Sequence, residues 1–497
     1  MSPASRGIVP GLFLALLAAS CVLAMNRWWL FPALEETGVR YLAAAPDLAT
    51  GHAPAIPLAR WDAVSPTSGL EGEGKLMPLL MAAAVKAGAR AHVAGLWTLA
   101  GSAALAVVAL SWAVGGVAGA GGALAIGLLV LCAPPGPAAA TLLGPVLLLA
   151  ALVALLLGTM VYQPRWSAAH GTLAALAWLA HPAGVGAVAA AVLWPATRGG
   201  RPREKVRSAF WAAAAPFALL AAGAVWPILD PPAGGASSKA LGGALQGIVR
   251  GAGAGVGGWV GMAAGIVMLA ALGALTLAEA RSTPVPPGDI HWSDPAAPDL
   301  LAARFRPAAG LLALASVVGA AWAPGTATPW LPSSWVLLAL AAAVAVRWRR
   351  RARGPLSWAP LVVLIAWAVT AGWSSWGELR GLRQTGRGVT SVVWVASPVI
   401  RWIDNRSRPW AEIYASDPAL VLLQTGRAAR SLPVDTAEWG DFARRFEAHP
   451  GAIVLTGEDD VDLRADALRA RLGLTEVVRA PEGRVLVPAT HDPGGRP

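Results

Sequence analysis

Cysteine is nearly absent. Cys21 and Cys132 are the only two, and both lie inside apolar runs. That excludes a disulfide framework and a cysteine-built metal centre. Charge is scarce as well: Asp, Glu, Lys and Arg make up 13% of the 497 residues, about half the share of a soluble domain. An ordinary water-soluble globule is therefore excluded. Acidic residues are the rarest feature of the first half, with none between Glu73 and Glu204.

What fills the chain instead is apolar. Hydrophobic residues reach 56% and the mean hydropathy is +0.56. They come in runs near the ~20 residues that span a bilayer as a helix. The expected architecture is a polytopic α-helical membrane protein with about ten spans: 7–25, 93–114, 117–133, 139–162, 167–196, 208–229, 251–278, 307–323, 332–346 and 355–373. The abundant Ala and Gly allow close helix packing in lipid. Most of the 24 Trp flank these runs, as interfacial anchors do. Arg6 followed by apolar residues and Ala-Ala-Ser-Cys at 18–21 has the outline of a lipoprotein signal peptide. An uncleaved first span is favoured, because the rest of the chain is itself membrane-embedded.

The net charge of +11 sits mainly in short Arg-rich loops beside the apolar runs. The positive-inside rule assigns such loops to the cytoplasm. The anions this implies are phospholipid head groups and a phosphorylated lipid rather than nucleic acid. Simple counting from a cytoplasmic N-terminus puts Arg165 inside but the basic cluster at 198–207 outside. The run 167–196 resolves this, because His181-Pro182 interrupts it. Proline removes a helix hydrogen bond and disfavours helix at the residue before it. Two half-helices, 167–180 and 183–196, folded into a re-entrant hairpin bring every large Arg cluster inside; the alternative is one kinked span. The first loop, 26–92, and the C-terminal segment then lie outside.

Two domains are expected. Residues 1–373 form the transmembrane domain, including the loop 26–92 with interfacial helices. Residues 374–497 form a small extracytoplasmic α/β domain, with strands at WAEIYAS, GAIVLTG and GRVLVPA and helices at 389–404, 436–448 and 463–472. That domain has no phosphate-cradling glycine loop, no metal-spaced His/Cys set and no nucleophile elbow. Asp459-Asp460 read as part of a solvated face.

The first loop carries Glu35, Glu36, Asp47, Asp62, Glu71 and Glu73. Glu35-Glu36, Val39-Arg40-Tyr41-Leu42, Ala45, Leu48-Ala49, Gly51-His52 and Met77-Pro78-Leu79-Leu80-Met81-Ala82 together resemble the first loop of GT-C glycosyltransferases. The likeness is to the bacterial protein mannosyltransferase and aminoarabinose transferase-like branch, in a divergent form. The run from Gly171 to His181-Pro182 resembles that family's broken helix. Trp402-Ile403, Ala411 to Pro418, Thr425-Gly426-Arg427 and Leu432-Pro433 look like the extracytoplasmic domain of some members. The pair here is Glu-Glu where the family has Asp-Glu or Asp-Asp, and the outer loop 133–139 lacks charge.

The resemblance implies transfer of a sugar from a polyprenyl-phosphate-linked donor to an envelope lipid, glycan or protein acceptor on the outer face of the membrane. The setting it implies is a bacterial inner membrane, with the C-terminal domain periplasmic or extracellular. A carboxylate would take the acceptor hydroxyl's proton, and cationic groups would hold the lipid phosphate. The base candidates are Glu36 and Glu35, which could equally be interfacial carboxylates, with Asp47 as a further candidate or a local cap. The phosphate candidates are Arg40, Arg60, Lys75 and His181. No metal ligand set stands out, although Glu71 and Glu73 leave room for a divalent cation. The alternative function is a catalytically inactive protein of this scaffold that binds or assembles envelope polymers.

Overall fold

The computed structural model describes residues 5–28, 34–65, 67–70, 73–132, 143–197, 201–226, 229–232, 237–253, 258–282, 297–323, 329–385, 389–406, 412–433, 436–457 and 461–489. Glu71, Arg198, the segment 133–139 and Asp459-Asp460 lie outside them. The chain divides into two compact units. One comprises Met1–Leu30, Gly72–Leu80 and Val93–Arg380; the other comprises Phe31–Glu71, Met81–His92 and Gly381–Pro497.

The first unit is helical. Among the described residues, five helices are long and apolar enough to cross a membrane: Ala91–Leu131, Pro202–Val225, Pro298–Ala321, Leu331–Arg351 and Pro355–Gly377. Ile8–Ala24, Val146–Tyr162, Pro182–Thr197 and Met262–Leu277 are shorter apolar helices. The long segment Ala91–Cys132 is two helices, not one. Gly119 breaks it with φ +74° and ψ −173°, a conformation that costs glycine little and other residues much. The two arms fold back on each other, for the Ser111 hydroxyl donates to the Ala123 carbonyl at 3.1 Å. Twelve residues of straight helix would hold these groups about 18 Å apart. This is the division between the expected spans 93–114 and 117–133, displaced by a few residues.

Glycines set the packing of the hairpin on its neighbours. A Cβ on Gly11 would lie 3.0 Å from Ser111 Cβ, and one on Gly127 would lie 2.4 Å from a Leu14 methyl, so helix Ser5–Trp28 packs closely on both arms. Tyr162, at the end of helix Val146–Tyr162, stacks on Trp112 with ring centroids 4.6 Å apart. Its hydroxyl donates to the Trp112 carbonyl at 2.8 Å. Gly116 leaves room for that hydroxyl, since a Cβ there would come within 2.0 Å of it.

The second break falls at the expected place. Helix Ser167–Ala180 ends at His181, whose φ of −162° and ψ of 143° are extended, as the following proline demands. A short turn, Pro182–Gly184, leads into helix Val185–Leu193, which packs against Ser167–Ala180. Gly184 is pressed on the Ala177 carbonyl, where a Cβ would stand 2.2 Å from the oxygen. Gly186 and Gly319 meet across the turn: a Cβ on Gly186 would be 2.1 Å from the Ala315 oxygen, and one on Gly319 would be 2.1 Å from the Ala183 oxygen. Small residues here let helix Ala297–Ala321 touch the backbone of the turn directly.

The second unit is built on a six-stranded sheet. In chain order its strands are β1 (Leu58–Arg60), β2 (Glu412–Ala415), β3 (Ala429–Ser431), β4 (Gly451–Thr456), β5 (Leu474–Ala480) and β6 (Gly483–Pro488), arranged β1-β3-β2-β4-β6-β5. The pairs β1–β3, β2–β3 and β2–β4 are parallel, whereas β4–β6 and β5–β6 are antiparallel. WAEIYAS, GAIVLTG and GRVLVPA become β2, β4 and β6, and helices Trp439–Ala448 and Val461–Leu472 fall in the expected stretches 436–448 and 463–472, whereas 389–404 is split into two short helices, Val392–Val395 and Pro398–Arg406. The edge strand β1 comes from the first loop. Behind it Trp61 enters the core beside Tyr414, Phe442, Phe446, Ile453 and Leu486, with its ring edge-on to Phe442 at 5.9 Å.

Candidate functional site

Helix Glu36–Ala49 carries the acidic pair. Glu35 occupies its N-cap position in extended conformation, and its carbonyl accepts the Val39 N–H at 3.1 Å. Glu36 opens the first turn, where a carboxylate is favoured by the helix dipole. The inner face of this helix, with Val39, Tyr41, Ala44 and Ala45, is buried, which turns Glu36 outward. Its side chain is 56% exposed and forms an i,i+4 ion pair with Arg40 at 3.5 Å. Arg40 is anchored again by donating to the Ser68 hydroxyl at 3.1 Å. A half-buried guanidinium thus holds the base candidate, an arrangement that can orient a carboxylate toward a hydroxyl.

Two other candidates from the same loop have local duties. Asp47 Oδ2 accepts the Ala55 N–H at 3.0 Å and its carbonyl accepts the His52 N–H at 2.9 Å, closing the turn after the helix. Arg60 lies on β1, ion-paired with Asp62 at 3.0 Å and with Glu438 at 2.5 Å. Glu438 also accepts the Trp61 indole N–H at 3.2 Å. Arg60 therefore helps to fix β1 on the sheet. Glu438 and Ser68 had no signal of their own in the sequence; Glu438 lies 378 positions from the arginine it binds.

The remaining pair belongs to the first unit, where the structure brings Lys75 and His181 to the same turn. The Lys75 backbone N–H donates to the Leu179 carbonyl at 2.8 Å. Gly74 lies so close to the end of helix Ser167–Ala180 that a Cβ would be 1.7 Å from the Ala180 oxygen and 3.3 Å from the His181 nitrogen. No residue but glycine fits there, and none of the sequence motifs singled it out. Both candidates are buried, Lys75 at 7% exposure and His181 at 1%. The Ala183 N–H points at His181 Nδ1 at 3.1 Å. With Nδ1 accepting, a neutral imidazole carries its proton on Nε2, ready to donate. A buried lysine and a buried imidazole N–H at one helix break suit an anion such as a lipid phosphate. Among the described residues, no group of three or more His, Cys, Asp or Glu is gathered to hold a metal ion.

No family model matches this chain, and no curated protein matches it by sequence. Solved structures do. ArnT from Cupriavidus metallidurans aligns over 95% of this chain and 97% of its own, at 13% identity, with TM-scores of 0.53 for its undecaprenyl phosphate complex and 0.56 for its apo state. The archaeal oligosaccharyltransferase AglB from Archaeoglobus fulgidus, in complex with an inhibitory peptide and a dolichol-phosphate, aligns over 97% of this chain and 75% of its own, at 11% identity and a TM-score of 0.52. The likeness runs through both units, the helices and the sheet, rather than through one module. The chain therefore shares the GT-C-like fold of these structures, and five of its described helices are long and apolar enough to cross a membrane.

Proposed function

We propose that this protein is an integral-membrane glycosyltransferase. It moves a sugar from a polyprenyl-phosphate-linked donor to an envelope lipid, glycan or protein acceptor, on the outer face of a bacterial cytoplasmic membrane. The observation that carries this reading is the burial of Lys75 and His181 at one helix break, in a fold shared with proteins that were solved with undecaprenyl phosphate and dolichol-phosphate bound.

In this reading each group has one task. The acceptor hydroxyl attacks the anomeric carbon while Glu36 takes its proton; Glu35 is the alternative candidate for that one base. The bond from the sugar to the phosphate oxygen breaks, and the polyprenyl phosphate leaves with the bonding electrons. Lys75 and the His181 Nε2–H stabilise the charge that develops on it. Arg40 acts through Glu36, holding the carboxylate in place. Asp47 and Arg60 contribute to the shape of the loop.

A binding measurement tests the lipid half of this reading. Lys75→Gln is expected to weaken binding of undecaprenyl phosphate to the purified full chain by about tenfold or more, the scale of one charge-assisted contact. Unchanged affinity in a folded variant removes Lys75 from the site. Binding without any sugar transfer would instead favour a catalytically inactive protein that holds lipid-linked intermediates.

A further inference from the structure

We propose a second lipid site at the arginine-rich end of helix Leu331–Arg351: a groove that holds an anionic phospholipid, its head group on Arg349 and Arg350 and an acyl chain below. The groove encloses about 430 Å³ and is apolar throughout. Three segments wall it: Ala125, Leu128 and Leu129 from the arm after Gly119, Val346 from Leu331–Arg351, and residues from Leu361 to Gly372 of helix Ala359–Thr385.

All three walls begin at the same basic end. Arg349 and Arg350 lie three and four residues beyond Val346, one turn along the same face. The Arg350 guanidinium rests against the Gly119 turn, where a Cβ would be 2.7 Å from Nη2. The Arg349 guanidinium lies 4.0 Å over the ring of Trp358, three residues before Leu361. A tryptophan at the mouth of an apolar groove is an interfacial marker.

Among the described residues, the charge at this end is unbalanced. Asp299 is occupied by Arg347 and Arg351, each at 2.6 Å. Among the described residues, no carboxylate pairs with Arg349 or Arg350, and Arg349 Nε is buried without a hydrogen-bond partner. A basic pocket between membrane helices above an apolar groove matches a phospholipid in both charge and shape. Phosphatidylglycerol supplies the negative head group that phosphatidylcholine, with its zwitterionic one, does not.

The test uses the full chain in bilayer discs of equal parts phosphatidylglycerol and phosphatidylcholine, released into detergent and weighed intact with its retained lipid. Wild type is expected to retain phosphatidylglycerol at least about fivefold over phosphatidylcholine. The double variant Arg349→Gln/Arg350→Gln is expected to bring that ratio near one, while Arg349→Lys/Arg350→Lys keeps it. Ala368→Phe, which fills the groove but leaves the arginines, is expected to lower retention of both lipids. An even ratio in wild type overturns the proposal. So does a glutamine variant that unfolds at the wild-type temperature yet keeps the preference. Undecaprenyl phosphate binding at Lys75 is read in parallel and is expected to stay unchanged in the glutamine variant, so that failure of either site is told from failure of the other.

Discussion

Asp417 illustrates what burial does to a single carboxyl in the sheet unit. It caps helix Pro418–Thr425 by accepting the Leu420 N–H at 3.0 Å. Burial raises its pKa above the ordinary value, and the backbone N–H groups of Leu420 and Ala419 oppose that rise only in part. The folded state therefore prefers the neutral acid. Its stabilising contribution is complete below about pH 3.9, where the unfolded residue is also protonated, and is lost as the pH rises through the raised folded value. Asn keeps the capping oxygen and does not titrate. The Asp417→Asn variant is expected to unfold at the same temperature as wild type in acid and at a higher temperature at neutral pH. A constant difference at every pH would show that the carboxyl does not titrate abnormally. Among the site residues, the sequence grouped Lys75 and His181 with Arg40 and Arg60, and Pro182 marked the break at His181 that ends helix Ser167–Ala180. The sequence could not reveal that Arg60 is taken by Glu438, since nothing local ties positions 60 and 438.

Elements were legible in proportion to their length and pattern. β4 and β6 are six-residue strands with unbroken apolar centres, Ala452–Leu455 and Val485–Val487, bounded by Gly or Pro, and the long apolar helices were visible for the same reason. β1 and β3 are three residues each, too short to carry a period, and β5 mixes Glu476 and Arg479 into its run. What makes β1 a strand is tertiary. The Arg430 guanidinium donates to the Ala63 carbonyl at 2.8 Å and Arg445 to the same carbonyl at 2.9 Å, while Trp61 fills the core. Trp61, with 6% exposure, should matter most. Trp61→Ala is expected to destabilise the sheet unit by about 3 kcal/mol, the scale of deleting a buried aromatic ring. Thermal unfolding is the measurement, and an unshifted midpoint would mean that β1 contributes nothing to the sheet.

Across the whole molecule, the helical class, the two broken segments and the C-terminal α/β sheet could all be read from composition, proline and glycine. The membership of the first loop could not. In sequence it is an insertion between two apolar runs, yet residues 31–71 belong to the compact unit of the sheet, while 72–80 belong to that of the helices. This division separates the two sets of candidates: Glu35 and Glu36 belong to one unit, Lys75 and His181 to the other. The central claim is that these groups transfer a sugar from a polyprenyl phosphate. The direct measurement is release of free undecaprenyl phosphate from a panel of undecaprenyl-phosphate-linked sugars by the purified full chain supplied with an envelope extract of lipid, glycan and protein as acceptor, for wild type, Glu36→Gln and Glu35→Gln. The account predicts release by wild type with at least one sugar. It predicts a loss of about a hundredfold or more in Glu36→Gln, the contribution of a general base, with donor binding intact. Full activity in both glutamine variants, or no release from any donor by a wild-type chain that binds the lipid, would contradict it.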